Sequence, residues 1–151
     1  RVADLAKAFG CHVIYYSTSG KNTQPGYERT DLDTLLRESD IVSVHAPLTD
    51  ATRGLMKREA FEKMKPTAVF LNVGRGPIVV EKDLAEALKC GQIAAAGLDV
   101  LSAEPMREDN PGREIQYSNR LFITPHIAWA SVEARTGLMD IVLHQIREFF
   151  E

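Results

Sequence analysis

Ala68-Val69-Phe70-Leu71-Asn72-Val73-Gly74-Arg75-Gly76 decides the fold of this chain. Its first part is a near-continuous apolar run, the kind of strand that lies inside a parallel sheet with both faces covered. The strand then ends in an arginine set between two glycines. Two later runs end in a similar way. Residues 93–100 close on Gly97-Leu98-Asp99-Val100, with Glu104-Pro105 just beyond, and residues 121–124 lead into Thr124-Pro125-His126-Ile127-Ala128-Trp129. An arginine, carboxylates and a histidine thus arrive just past strand ends, where open α/β sheets bind their ligands.

Outward from these runs, helical and strand-like patterns alternate. Residues 2–9 are Ala/Leu-rich and stop at Gly10, a residue suited to the position after a helix. Residues 12–16 read as a buried strand, followed by a polar loop over 17–26. Asp31 can cap a short helix whose Leu32, Leu35 and Leu36 share a face. A strand over 41–46 is terminated by Pro47, and 59–64 is a short helix. The helix over 81–90 buries Leu84, Ala85 and Leu88 and ends at Gly91. Residues 102–119 are charged and contain Pro105 and Pro111, so a loop without internal regularity is expected. Ser131 then caps a long amphipathic helix carrying Leu138, Ile141, Val142, Ile146 and Phe149 on one side. Five strands with helices between them predict an α/β fold built on a parallel sheet.

The 151 residues, 44% hydrophobic and 26% charged, suffice for one domain-sized core but not for a second full domain. A net charge of −3 and the absence of a Lys/Arg run supply no field for nucleic acid or a membrane surface. There is no apolar run near the roughly 18 residues of a membrane span and no signal-peptide pattern, so a cytoplasmic location is expected. Cys11 and Cys90 follow neither redox nor zinc spacing and read as reduced structural thiols. No metal is expected, because no Cys/His/carboxylate group has ligand spacing. His12, His45 and His144 lack a partner motif and read as structural.

Arg75, flanked by glycines, can grip a carboxylate with two hydrogen bonds while a substrate approaches closely. The plainer alternative is a Gly-rich turn with a solvated arginine. His126 can exchange the proton that accompanies hydride transfer to a carbonyl. A carboxylate on one of its ring nitrogens would orient the imidazole and favour its charged form.

In their order, the three motifs resemble the signature of the D-isomer-specific 2-hydroxyacid dehydrogenases over nearly the whole chain. The resemblance implies a Rossmann-like doubly wound sheet and hydride transfer between NAD or NADP and a small 2-keto or 2-hydroxy acid. It implies that Arg75 binds the substrate carboxylate and carbonyl, that Glu104 pairs with the histidine, and that His126 is the acid/base. On the cofactor side it implies Ser17 at the ribose and Ala46, Pro47 and Thr52 along the adenosine. Asn72, Val73 and Gly74 would line the nicotinamide, and Asp99 would lie near its carboxamide, with Arg75, His126 and Ala128 alongside. For Asp99 the alternative is a cap on the following turn. Relatives are typically homodimers through this domain. The stretch Pro-His-Ile-Ala-Trp-Ala-Ser resembles the glycerate dehydrogenase and hydroxypyruvate reductase branch, which points to hydroxypyruvate or glyoxylate as substrate. A second class, nucleotide-binding corepressors, shares the fold and the signature.

The dinucleotide fingerprint G-x-G-x-x-G is absent. Residues 1–6 resemble the helix that follows those glycines, so residues 1–151 are expected to be a partial nucleotide-binding domain. Its first strand, which lies at the centre of the usual 3-2-1-4-5-6 order, its glycine-rich loop and the substrate domain are expected to be missing from this chain. After the strand over 12–16, Ser17 stands where NAD sites usually carry an acidic residue, and Lys21 follows. NAD and NADP are therefore both open.

Overall fold

The computed structural model describes residues 1–115 and 118–150. Along the chain run α1 (Val2–Ala8), β1 (Ile14–Tyr15), β2 (Glu28–Arg29), α2 (Leu32–Glu38), β3 (Ile41–Val44), α3 (Arg58–Phe61), β4 (Val69–Asn72), α4 (Glu81–Lys89), β5 (Ala95–Leu98), β6 (Leu121–Ile123) and α5 (Val132–Phe150). Every strand pair is parallel. β3, β4, β5 and β6 form one sheet in that order, while β1 and β2 form a separate pair. In the larger sheet Val44, Asn72, Leu98 and Ile123 are in register, so the four strands end in step along one edge.

Strand alternation decides which side is core. Val42, Val44, Phe70, Ala96, Leu98 and Leu121 are buried. They pack in one cluster with Leu36 of α2, Phe61 of α3 and Leu84 and Leu88 of α4. Phe61 meets Phe70 edge to face at 5.5 Å between ring centroids, an arrangement that adds about 1 kcal/mol to the area term. The opposite face carries Ile41, Ser43 and Phe122, all exposed. Asp31 caps α2 as expected, accepting the Thr34 N–H at 2.9 Å. Gly10 and Gly91 follow α1 and α4 with φ of +85° and +71°, the left-handed region that lets a helix end without a Cβ clash.

Three expectations are corrected and one strand is added. β1 is shorter than 12–16 and half-buried, because among the described residues it is paired along one edge only. β2 was not anticipated: both its side chains are exposed, and it is defined by backbone pairing to β1, not by an apolar signal. Within the segment read as an irregular loop, Pro111–Ile115 forms a 3-10 turn with Gly112 buried, and the Asn110 side-chain oxygen accepts the Gly112 N–H at 2.8 Å. The same loop reading at Gln116 and Tyr117 lies outside the described residues. Cys11 and Cys90, read as reduced structural thiols, are free as expected, but both are exposed and neither packs in the core. The Glu86 carboxylate beside Cys90 pushes its thiol up, which disfavours the reactive thiolate.

The last helix forms as expected, with the Ser131 hydroxyl accepting the Ala134 N–H at 3.1 Å. No side chain of α5 is buried. None of the described helices is long and apolar enough to cross a membrane.

Candidate active site

The predicted site residues gather at the carboxyl ends of the strands. Past β4, the buried Asn72 side chain shapes the turn: its oxygen accepts the Gly74 N–H at 3.1 Å and its amide donates to the Arg75 carbonyl at 3.0 Å. A Cβ on Gly74 would lie 3.2 Å from the Ala46 carbonyl oxygen, so the exits of β3 and β4 nearly touch there. Val73 is 40% exposed and presents apolar surface. Arg75 is extended and exposed, and its guanidinium donates to the Gly74 carbonyl at 2.7 Å. Beyond β3, Pro47 is exposed, whereas Thr52 is buried. Its hydroxyl donates to the Pro47 carbonyl at 2.7 Å and accepts the Thr49 N–H at 2.8 Å. Thr52 thus shapes the loop that follows β3.

Past β5 and β6, a second group is joined by direct hydrogen bonds. The buried Asp99 carboxylate accepts the Thr124 hydroxyl, the Ile127 N–H at 2.9 Å and the Ala128 N–H at 2.8 Å. Burial pushes its pKa up, but the Thr124 hydroxyl, the two N–H donors and the neighbouring His126 together outweigh this and leave it below the ordinary Asp value. Between Thr124 and Ile127, His126 sits at φ +54°, a left-handed conformation unfavourable for a residue with a side chain. Asp99 fixes the backbone on its far side, and the Trp129 indole N–H donates to the His126 carbonyl at 2.7 Å. Such strain, held by surrounding bonds, clusters at functional sites.

His126 Nδ1–H donates to one Glu104 oxygen at 2.8 Å, and the other Glu104 oxygen accepts the Leu101 N–H at 2.9 Å. The Leu101 N–H first, and then the His126 bond, hold the Glu104 carboxyl below its usual pKa, so it is an anion at neutral pH. Among the described residues no hydrogen bond engages His126 Nε2, and the side chain is 40% exposed. That nitrogen is available to a substrate oxygen.

The structure joins Glu104 to His126, Asp99 to Ala128, and Asn72 to Arg75. It does not join Ser17 to them. Ser17 lies past β1 in the separate strand pair, buried, with its hydroxyl accepting the Asn22 N–H at 3.3 Å. Sequence reasoning gave no role to Thr124 or the Leu101 N–H, and read Gly76 only as room for a substrate beside Arg75. A Cβ on Gly76 would fall 2.0 Å from the Leu101 carbonyl, so the Arg75 turn rests against the segment leading to Glu104. A glycine beside Arg75 was the available signal, although its partner is distant in sequence. Among the described residues no group of histidines, cysteines and carboxylates could hold a metal.

The model of the D-isomer specific 2-hydroxyacid dehydrogenase NAD-binding domain matches residues 1–128. The chain belongs to this family. A hydroxypyruvate reductase of Blautia hydrogenotrophica is 42% identical over 97% of this chain and 45% of its own length. A glyoxylate reductase of Aeropyrum pernix is 45% identical over 99% of the chain and 44% of its own length. Among solved structures, an acyclic imino acid reductase in complex with NADPH and D-Arg superposes with a TM-score of 0.89 at 34% identity, over 99% of this chain and 46% of that one. The chain therefore spans less than half the length of these proteins. The imino acid reductase holds NADPH, and the family model describes a domain that binds a nicotinamide dinucleotide. The strand-end edge fits one: Val73 offers apolar surface, and Gly74 leaves no side chain between the exits of β3 and β4.

Proposed function

We propose that this chain is the nucleotide-binding part of an enzyme that reduces a small 2-keto acid, hydroxypyruvate or glyoxylate, to the D-2-hydroxy acid with NADH or NADPH. One observation carries the reading: the Glu104 carboxylate holds His126 Nδ1 at 2.8 Å, leaving Nε2 to serve a substrate. The family membership and the reductase names of the similar proteins support it. Those names do not favour the corepressor alternative.

When bound, the reduced nicotinamide supplies the hydride for the substrate C2. Arg75 binds the substrate carboxylate and aligns its carbonyl, its exposed guanidinium being able to exchange the Gly74 carbonyl for a stronger anionic partner. As the carbonyl electron pair moves onto oxygen, His126 Nε2–H delivers the proton there. Glu104 keeps the ring oriented for this transfer. In the same proposal Ala46, Pro47 and Thr52 flank the adenosine side, and Asn72, Val73, Gly74, Asp99 and Ala128 flank the nicotinamide. Ser17 faces the ribose. The whole enzyme works as a cytoplasmic homodimer without nucleic-acid or membrane partners; the exposed apolar residues of α1 and α5 support the pairing of two copies.

The test is oxidation of NADH and NADPH by the full-length enzyme with hydroxypyruvate and glyoxylate, followed by absorbance. Turnover is expected with at least one pair, and His126→Ala should lower kcat by about 100-fold or more. Near-normal turnover in that variant would remove His126 from the mechanism.

A further inference from the structure

The loop bearing Glu104 is long, charged and exposed, yet Glu104 must reach two partners at once. A carboxylate outside the proposed site holds both ends of that loop. Glu81, the first residue of α4, accepts the Ser102 N–H with one oxygen and the Asn110 side-chain amide with the other, each at 2.7 Å. Asn110 in turn accepts the Gly112 N–H at 2.8 Å, which ties the far end of the loop to the buried Gly112 turn against α4. At the near end, the Leu101–Ser102 peptide lies against Gly76, where a Cβ would come within 2.4 Å of the Ser102 nitrogen. The peptide that donates to Glu81 is thus the one following the Leu101 N–H that binds Glu104. Glu81 is half-buried and sits in a helix anchored in the core by Leu84 and Leu88, so the tether has a rigid base.

From this geometry we infer that Glu81 is a positioning residue for the acid/base pair. By fixing Ser102 and Asn110 it sets the loop so that Glu104 meets the Leu101 N–H and His126 Nδ1 together. The inference rests on the reading of Glu104 and His126 as that pair. Pre-organised supporting bonds of this kind matter because small misplacements of a catalytic group are costly in rate.

The bond pattern offers its own rescue. In Glu81→Gln one oxygen can still accept the Ser102 N–H, but the new amide faces the Asn110 amide, donor against donor. Adding Asn110→Asp restores complementarity: the amide introduced on α4 donates to one oxygen of the carboxylate introduced on the loop, and the other oxygen keeps the Gly112 N–H. Full-length wild type, Glu81→Gln, Asn110→Asp, the double variant and Glu104→Gln are compared by kcat and KM of ketone reduction. Each single tether variant should lower kcat by about 10-fold or more with KM for the keto acid little changed, in the direction of Glu104→Gln. The double variant should recover kcat to within roughly threefold of wild type. If Glu104→Gln lowers kcat while the single tether variants leave it in place, or if the double variant is no better than the singles, Glu81 does not position the pair. If Glu104→Gln itself leaves kcat unchanged, the acid/base reading falls, and this inference falls with it.

Discussion

At the residue scale, the site works through what each side chain is prevented from doing. His126 has one nitrogen committed to Glu104 and its backbone held at φ +54° by Asp99 and Trp129, so little remains free but Nε2. Replacing Glu104 by Gln removes the carboxylate that orients the imidazole. Ketone reduction by the full-length variant should then lose about 10-fold or more in kcat, because a misplaced ring is costly in rate. Arg75→Lys should instead raise KM for the keto acid, because an ammonium cannot reproduce a two-pronged grip. An unchanged kcat in Glu104→Gln would show that the Glu104 bond has no role in the proton step. Two glycines make a second contrast. Gly76→Ala drives a Cβ to 2.0 Å from the Leu101 carbonyl, whereas at Gly97 the obstacle is the tip of Leu71 at 2.9 Å. The first should cost about 3 kcal/mol or more by overpacking against backbone. The second should change stability by less than about 1 kcal/mol, since Leu71 can turn aside and alanine is favoured over glycine in a strand. Denaturant midpoints of the two variants test this, and equal losses would mean that the approach at Gly76 is not as tight as described.

At the element scale, the function of β5 and β6 is to end in step. Leu98 and Ile123 are register partners, so Asp99 and Thr124 emerge side by side and the carboxylate can organise the next turn. Because the folded pKa of Asp99 lies below its ordinary 3.8, the ionised form stabilises this turn fully above that value. The contribution is lost as pH falls through the lowered folded pKa, when protonation removes an acceptor. The amides of Ile127 and Ala128 should therefore stay protected from hydrogen exchange down to the ordinary Asp value of 3.8 and open only below it. Loss of protection at about pH 5 would show that Asp99 is not held as a low-pKa anion. Element existence was largely legible from sequence. Apolar runs marked β3, β4, β5 and β6, and glycines marked the ends of α1 and α4. β2 was not legible because Glu28 and Arg29 have no side-chain reason to be a strand; backbone pairing with Ile14 and Tyr15 makes them one.

For the whole molecule, the divided sheet is the dominant feature: β1–β2 stands apart from β3–β6, and the apolar faces of α1 and α5 are exposed, with Leu5 at 62% and Phe149 at 82%. The sequence holds no G-x-G-x-x-G, the loop whose N–H groups and helix N-terminus receive a pyrophosphate. A protein of these 151 residues alone should therefore bind NADH or NADPH more weakly than the micromolar range. Calorimetric titration checks this, and micromolar affinity would require another pyrophosphate site within the chain. The sequence by itself determined the parallel α/β class, the strand ends that carry Arg75, Asp99 and His126, and the family, because apolar periodicity and the order of strand-end motifs are local properties of a chain. The pairing of Glu104 with His126 was implied only through the family resemblance, and the fold supplies its geometry. Tertiary structure alone decided that Asp99 binds the turn past β6, that Gly76 supports Leu101, and that Glu81 spans the loop between Ser102 and Asn110. These partners are far apart in sequence, and a hydrogen bond depends on where two groups lie in space, which parallel register and core packing fix and no local pattern encodes.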